Sequence, residues 1–360
     1  MRHLLVILAL TLLLPACRKH SGSMGGGATD SSVTVYAAGY VYGGLYNQAC
    51  YWKNGQITLL PPTPNSDDNS FAYGIWVQGT DVYVVGASPL GATLWVNGKP
   101  QIIGNSGSQA GSVTVSGKNV YIAGSQLNTA DGPNNFAALW TNGQQTILPT
   151  NFVNVGASQV LVNGSDIYVL GGVDNGIGNF GAYAAYWKND NFFQLTTDSV
   201  CSSAGGITVD GSDVYIGGTL TRGATTAVYW KNGTLIPLPS DSSNPGAGAI
   251  AVIGNDVYVA GGVYNPTRTI FNAVYWKNGQ QYFLADPSVQ STATCIATNG
   301  SDVYIGGMQA TPIGNGPHYN EFEATYWKNG VPTTLPWPGG APGYRYVFGI
   351  FVTGGSSTAE

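Results

Sequence analysis

Charge is scarce in this chain. Of its 360 residues only 9% are Asp, Glu, Lys or Arg, against roughly a quarter in ordinary soluble domains. The formal net charge is -5, so no basic surplus exists to neutralise phosphates, and nucleic acid is not an expected partner. Histidine occurs 3 times and cysteine 4 times, with no Cys-x-x-Cys or His-x-x-x-His spacing to suggest a structural zinc. Once Cys17 is set apart, Cys50, Cys201 and Cys295 form an odd set that makes no disulfide framework. Long apolar runs are missing too, the one at residues 4–14 being too short to span a bilayer as a mature helix. A Gly-x-Gly-x-x-Gly sequence at residues 176–181 precedes Ala184-Ala185-Tyr186-Trp187, a strand pattern where a dinucleotide site needs a helix. The Gly-Ser-Asp turns at Asp166, Asp213 and Asp302 lack the alternating carboxylates of a calcium loop. No cofactor or metal is implied.

Glycine is abundant, with 52 residues, and aromatics make up 12%. They recur in a phrase written seven times between residues 33 and 336: an apolar run with a Tyr, a loop, then Tyr-Trp or Leu-Trp and an Asn turn. The first Tyr is Tyr36, Tyr83, Tyr121, Tyr168, Tyr215, Tyr258 and Tyr304; the Trp is Trp52, Trp95, Trp140, Trp187, Trp230, Trp276 and Trp327. Successive Tyr markers stand 38 to 47 residues apart, the period of a four-stranded propeller blade.

The fifth unit, residues 205–239, shows how a blade forms. Residues 206–209 read as a strand, 210–213 as a tight turn, 214–217 as a second strand; after a loop, 226–230 and 234–238 make a second hairpin around Lys231-Asn232-Gly233. Adjacent Tyr and Trp point to opposite faces of a sheet, so both faces carry large aromatics, as stacking between neighbouring blades requires. The first unit lacks its leading strand, whereas residues 346–354 form an orphan strand resembling residues 71–79. The fold expected is all-β: a seven-bladed β-propeller of four-stranded antiparallel blades, its ring closed by the C-terminal strand joining the N-terminal blade.

The Val-Tyr-Ile-Gly-Gly phrase beginning at Val214, with counterparts at Gly171-Gly172, Gly261-Gly262 and Gly306-Gly307, resembles kelch-type propeller repeats. It departs from them in the adjacency of the later Tyr and Trp. Leu139-Trp140-Thr141-Asn142-Gly143 and Leu94-Trp95-Val96-Asn97-Gly98 resemble the Leu-Trp-x-Asn-Gly units of bacterial extracellular repeat proteins. These resemblances imply a propeller in an exported protein and carry no catalytic residue across. Arg2 and His3 precede the apolar run, which ends Leu14-Pro15-Ala16-Cys17 and resembles the bacterial lipoprotein signal. That resemblance implies a signal peptide over 1–16, lipidation of Cys17, and anchoring to the bacterial cell envelope, at the outer membrane or cell surface. Residues 17–32, rich in Gly and Ser, then read as a flexible tether, 33–355 as the propeller and 356–360 as a tail.

In each blade the first and third turns share one rim, and the second-to-third-strand loops share the other with the links between blades. On the short-turn rim Lys53, Lys99, Lys118, Lys188, Lys231, Lys277 and Lys328 are balanced by Asp81, Asp166, Asp190, Asp210, Asp213, Asp256 and Asp302. On the long-loop rim Arg222, Arg268 and Arg345 face Asp67, Asp68, Asp131, Asp174, Asp198, Asp241, Asp286, Glu321 and Glu323, which makes that face acidic. Its longest loop, residues 308–323, carries His318, Tyr319, Glu321 and Glu323, with Arg222 and Arg268 on the equivalent loops of the two preceding blades and Tyr264 and Trp337 as aromatic platforms. Variable loops on a rigid scaffold are where binding resides. The reading favoured is a non-catalytic binding module for a glycan or a protein, tethered to a membrane through its N-terminal lipid. One alternative is an enzyme acting on extracellular polysaccharide with loop carboxylates as acid and base, disfavoured because Glu321 and Glu323 are two residues apart and no Gly-x-Ser-x-Gly elbow is present. The other is a structural component of an envelope assembly, docking through the short-turn rim.

Overall fold

The computed structural model describes residues 33–42, 45–61, 69–127, 135–152, 154–174, 182–196, 200–240, 242–311, 321–337 and 343–354. Among them 28 strands make seven four-stranded sheets, with no helix. The molecule is the seven-bladed β-propeller that the repeats predict. Blade 1 is composite: Arg345–Thr353 is its innermost strand, paired antiparallel with Thr34–Tyr42, beyond which lie Asn47–Lys53 and Gln56–Leu59. Its register sets Tyr36 opposite Phe351 and Ala38 opposite Gly349, so the last strand closes the ring as the orphan sequence requires. The other inner strands are Phe71–Gln78, Gln109–Ser116, Asn154–Asn163, Cys201–Asp210, Ser243–Ile253 and Ser291–Asn299.

The Asn turns follow from side-chain chemistry. All seven first turn residues, from Asn54 to Asn329, have φ between 47° and 52°, a left-handed conformation that Asn tolerates better than most residues. Each side-chain oxygen accepts the backbone N–H of the residue before the repeat Tyr, at 2.8–2.9 Å. One residue thereby turns the outer hairpin and ties it to the second strand.

The seven Trp side chains are almost completely buried between blades, but their indole N–H groups fare unequally. Trp52, Trp95, Trp187 and Trp276 donate to the carbonyls of Pro336, Pro61, Pro149 and Pro239, each just after the outer strand of the preceding blade, at 2.7–3.2 Å. Trp140, Trp230 and Trp327 have no partner among the described residues. The blades before those three end in Ile103-Gly104, Leu195-Thr196 and Leu284-Ala285 instead of Leu-Pro. Four interfaces are therefore latched and three are not.

On the short-turn rim, blades 4 to 7 repeat one cluster. Lys188, Lys231, Lys277 and Lys328 lie 2.7–2.8 Å from Asp166, Asp213, Asp256 and Asp302 and sit over the repeat Tyr rings. Hydrogen bonds from the Lys, then from the neighbouring Asn, hold these carboxyls below the usual carboxylate range, and the same Asp contacts raise the Lys ammonium groups. Blade 1 keeps Lys53 over Tyr36 but has Thr34 in the Asp position, while Val96 and Thr141 replace the Lys in blades 2 and 3. A depressed carboxyl pKa stabilises the fold above the unfolded value of about 3.9, and that contribution disappears as pH falls through the folded value. The raised Lys values act below about 10.4 and are lost on the alkaline side. Thermal midpoints should therefore be flat between about pH 5 and 9 and fall below about pH 4. Replacing all four Asp by Asn should lower the plateau and flatten the acid limb; an unchanged acid limb in that variant would place its origin elsewhere.

Candidate functional site

Each inner strand carries a bulge at one level, which leaves one residue unpaired: Phe348 in blade 1, Tyr73 in blade 2, then Gly111, Ser158, Gly205, Gly248 and Thr294. A bulge bends its strand, and here it divides the inner wall into a long-loop side and a short-turn side. The backbones of neighbouring blades approach closely at this level. A Cβ on Gly205 would sit 2.2 Å from the carbonyl of Gly248, and one on Gly111 2.5 Å from that of Ser158. Glycine is required at both positions.

On the long-loop side of the bulges, blades 7, 1 and 2 assemble a continuous file of aromatic rings. Half-exposed Tyr344 stacks on Phe322 at 5.1 Å, and Phe322 lies 6.5 Å from Tyr346. Tyr346 meets Tyr40 at 5.3 Å and Phe348 at 5.9 Å. Tyr40 meets Phe71 edge-on at 4.9 Å, and Phe348 meets Tyr73 edge-on at 5.7 Å. Burial, then the neighbouring phenols of Tyr346 and Tyr73, pushes the Tyr40 hydroxyl up to about 12. Burial also raises Tyr73 and Tyr346, so these three phenols stay uncharged through the physiological range.

The carboxylates expected from the sequence flank Phe322 along its strand. Glu321 and Glu323 lie in the strand Glu321–Lys328, opposite Thr311 and Gln309, so they belong to strand rather than loop. Alternation along the strand puts both on one face and Phe322 on the other. In blade 6, Tyr264 is paired with Phe271, ring to ring at 5.3 Å. Arg268 is exposed in the next turn, its backbone N–H donating to Asn265 at 3.3 Å. Asp286 is held below the usual range first by the N–H of Ser288, with Arg268 contributing through its charge.

Some expectations need correction. Arg222 ends the strand Asp213–Arg222, and the connection after it is Gly223 alone at φ 76°; because Gly223 can take that left-handed turn, blade 5 has no long loop here. Arg345 is buried at the start of the closing strand, so it adds no exposed charge to the rim. Trp337 packs into the cluster around Trp52 between blades 7 and 1 and is no platform. His318, Tyr319 and Cys17 lie outside the described residues, as do Asp67, Asp68, Asp131, Asp198 and Asp241. Among the described residues no three His, Cys, Asp or Glu side chains gather where they could hold a metal ion. The aromatic file escaped the sequence reading, although its signal was there. Blade 2 opens Phe71-Ala72-Tyr73 and the closing strand carries Tyr346 and Phe348, where blades 3, 5 and 6 place Gln109-Ala110-Gly111, Ser203-Ala204-Gly205 and Gly246-Ala247-Gly248.

No protein-family model matches this chain, and no curated protein does. Solved structures do. The β-propeller domain of the Trilobed protease from Pyrococcus furiosus matches with TM-score 0.50 at 11% identity, over 81% of this chain and 87% of that one. The likeness is of fold alone. Pyrococcus horikoshii acylaminoacyl peptidase matches with the same TM-score, 0.50, at 11% identity over 85% of this chain, which spans only 51% of the peptidase. A thermostable family-43 glycoside hydrolase matches more loosely, with TM-score 0.39 at 10% identity, over 63% of this chain and 96% of that one. The Pyrococcus furiosus domain is described as having an open velcro topology, whereas blade 1 here is completed by the C-terminal strand.

Proposed function

We propose that this protein is an exported, membrane-anchored binding module, without catalysis of its own, that engages a glycan or a protein through its long-loop face. The aromatic file from Tyr344 to Tyr73 carries the reading. Aromatic faces with polar tips give large contact area at low entropic cost, and rings that end in phenol hydroxyls suit the apolar C–H face and hydroxyls of a sugar. Glycan is accordingly the first partner to test. Two carboxylates on one face of one strand, about 6.6 Å apart along it, do not flank a scissile bond from opposite sides, which favours binding over hydrolysis. Cys17, at the end of the lipoprotein-like signal, would supply the anchor, and Cys17→Ser should move the protein from the membrane to the soluble fraction.

Immobilised envelope and extracellular glycans should capture the wild-type protein, with capture reduced about tenfold or more by Tyr344→Ala and by the pair Glu321→Gln, Glu323→Gln, at unchanged melting temperature. Partners recovered equally by these variants would remove the long-loop face from consideration. Release of reducing sugar by the wild type, lost in Glu321→Gln, would instead establish the enzyme reading.

A further inference from the structure

All seven inner strands line one cavity of about 400 Å3, which therefore lies on the ring axis. The lining begins at the bulges and runs toward the short-turn rim; it includes no residue from the long-loop side of the bulges. It meets the aromatic file only at the bulge residues Tyr73 and Phe348 and extends away from the long-loop face. Its size falls within the roughly 300–1,000 Å3 of small-molecule clefts.

The walls are chemically unlike. Opposite the repeat Tyr, blades 1 and 2 place Phe351 and Trp76, their rings 4.7 Å apart, and Phe348 and Tyr73 continue the same wall at bulge level. At the register of Trp76, blades 3, 5, 6 and 7 place Thr114, Thr208, Ala251 and Ala297. The small side forms a pocket because it faces large rings across the axis. Polar capacity remains unused there. The side-chain oxygen of Gln159 accepts the N–H of Ile207 at 2.8 Å, which fixes the carboxamide, while its NH2 group makes no bond among the described residues. The Thr208 hydroxyl also makes none among them. Among the described residues no Asp, Glu, Lys, Arg or His lines the cavity. Its two titratable groups, Tyr73 and Cys295, are held protonated by burial, Cys295 with its pKa pushed up to about 12.

These features restrict the occupant. An ion would lose its hydration with no counter-charge to replace it, and a hydrocarbon would leave the Gln159 NH2 and Thr208 hydroxyl without water or a partner. A neutral molecule with one apolar face and a fringe of hydroxyls satisfies both walls. We infer that the axial cavity binds a neutral sugar, with a ring face against Trp76 and Phe351 and hydroxyls toward Gln159 and Thr208. Tyr73 and Phe348, at bulge level, belong to both the file and the cavity wall, but Trp76, Phe351, Gln159 and Thr208, on which the inference rests, take no part in the long-loop reading.

A ring seated on Trp76 changes that residue's contribution to the emission of the chain's nine tryptophans. The full chain, titrated with glucose, galactose, N-acetylglucosamine and the β-1,4-linked disaccharides of each, should show a saturable emission change with at least one of them and none with glucuronic acid. Ala251→Leu with Ala297→Leu should fill the space; the fold already holds Leu161 and Phe351 at that register, so the melting transition should be retained. The filled variant should lose the response, and Thr208→Val, which keeps the side-chain volume, should weaken binding about tenfold. Tyr344→Ala and Glu321→Gln should leave the titration unchanged, which separates failure here from failure of the long-loop reading. The inference is overturned if no neutral sugar in the set binds, if glucuronic acid binds as well, or if Thr208→Val and a folded filled variant bind like the wild type.

Discussion

Deleting residues 345–354 should abolish cooperative unfolding outright rather than lower the melting temperature by a few degrees. Those residues contain the inner strand of blade 1, and without it Thr34–Tyr42 presents an unpaired edge at the axis. A ring with one open edge loses the interfaces on either side of the gap, and an exposed edge strand is a template for aggregation. Gly39→Val tests the same closure without shortening the chain. A Cβ at Gly39 would stand 1.7 Å from the Tyr346 carbonyl oxygen, so pairing of the closing strand must break, at a cost of more than about 4 kcal/mol. Gly172→Ala is the control: its Cβ meets nothing nearer than the Tyr183 carbonyl at 3.6 Å, and its melting temperature should stay within a few degrees of the wild type. Calorimetry decides the matter, since a Gly39→Val protein with a single sharp wild-type transition would mean that ring closure contributes little.

Trp95→Phe should destabilise the protein about 1–3 kcal/mol more than Trp140→Phe. Both indoles are fully buried and both substitutions remove similar volume, so the packing loss is shared. At Trp95 the change also removes the hydrogen bond from the indole N–H to the Pro61 carbonyl at 3.2 Å. At Trp140 the N–H has no acceptor among the described residues, and Phe relieves the cost of burying it. The contrast should recur between Trp52, Trp187 and Trp276 on one side and Trp230 and Trp327 on the other. Urea titration of the seven single variants measures it, and equal costs across the set would show that the proline carbonyls do not matter.

Blade number, strand order and ring closure were legible because each is written in residues near one another in sequence or in a repeated phrase. The match between residues 346–354 and 71–79 was enough to identify the donated strand. Strand ends on the long-loop side were less legible. Thr311 pairs with Glu321 and Arg222 with Ala224 in stretches without β-branched alternation, where hairpin pairing rather than local propensity decides the conformation. The aromatic file was hidden for a different reason. Tyr40, Phe71 and Tyr346 come from three separated segments that meet only after the ring closes, and a repeat pattern describes relations within blades, not across that seam. The prolines could be read from sequence, but their indole partners belong to the following blade.

The proline latches follow blades 1, 3, 5 and 7, an alternation that an odd-membered ring cannot complete without a defect in phase. The mismatch falls at the composite blade: the 7–1 and 1–2 interfaces are both fastened, whereas everywhere else a fastened interface is followed by an open one. Blade 1, whose inner strand is held by no peptide bond to its neighbour in the sheet, is thus clasped from both sides. Mechanical or thermal rupture is then directed away from the seam, to the 2–3, 4–5 and 6–7 boundaries, and the blade in which Thr34–Tyr42 pairs with Arg345–Thr353 becomes the part of the ring that opens last.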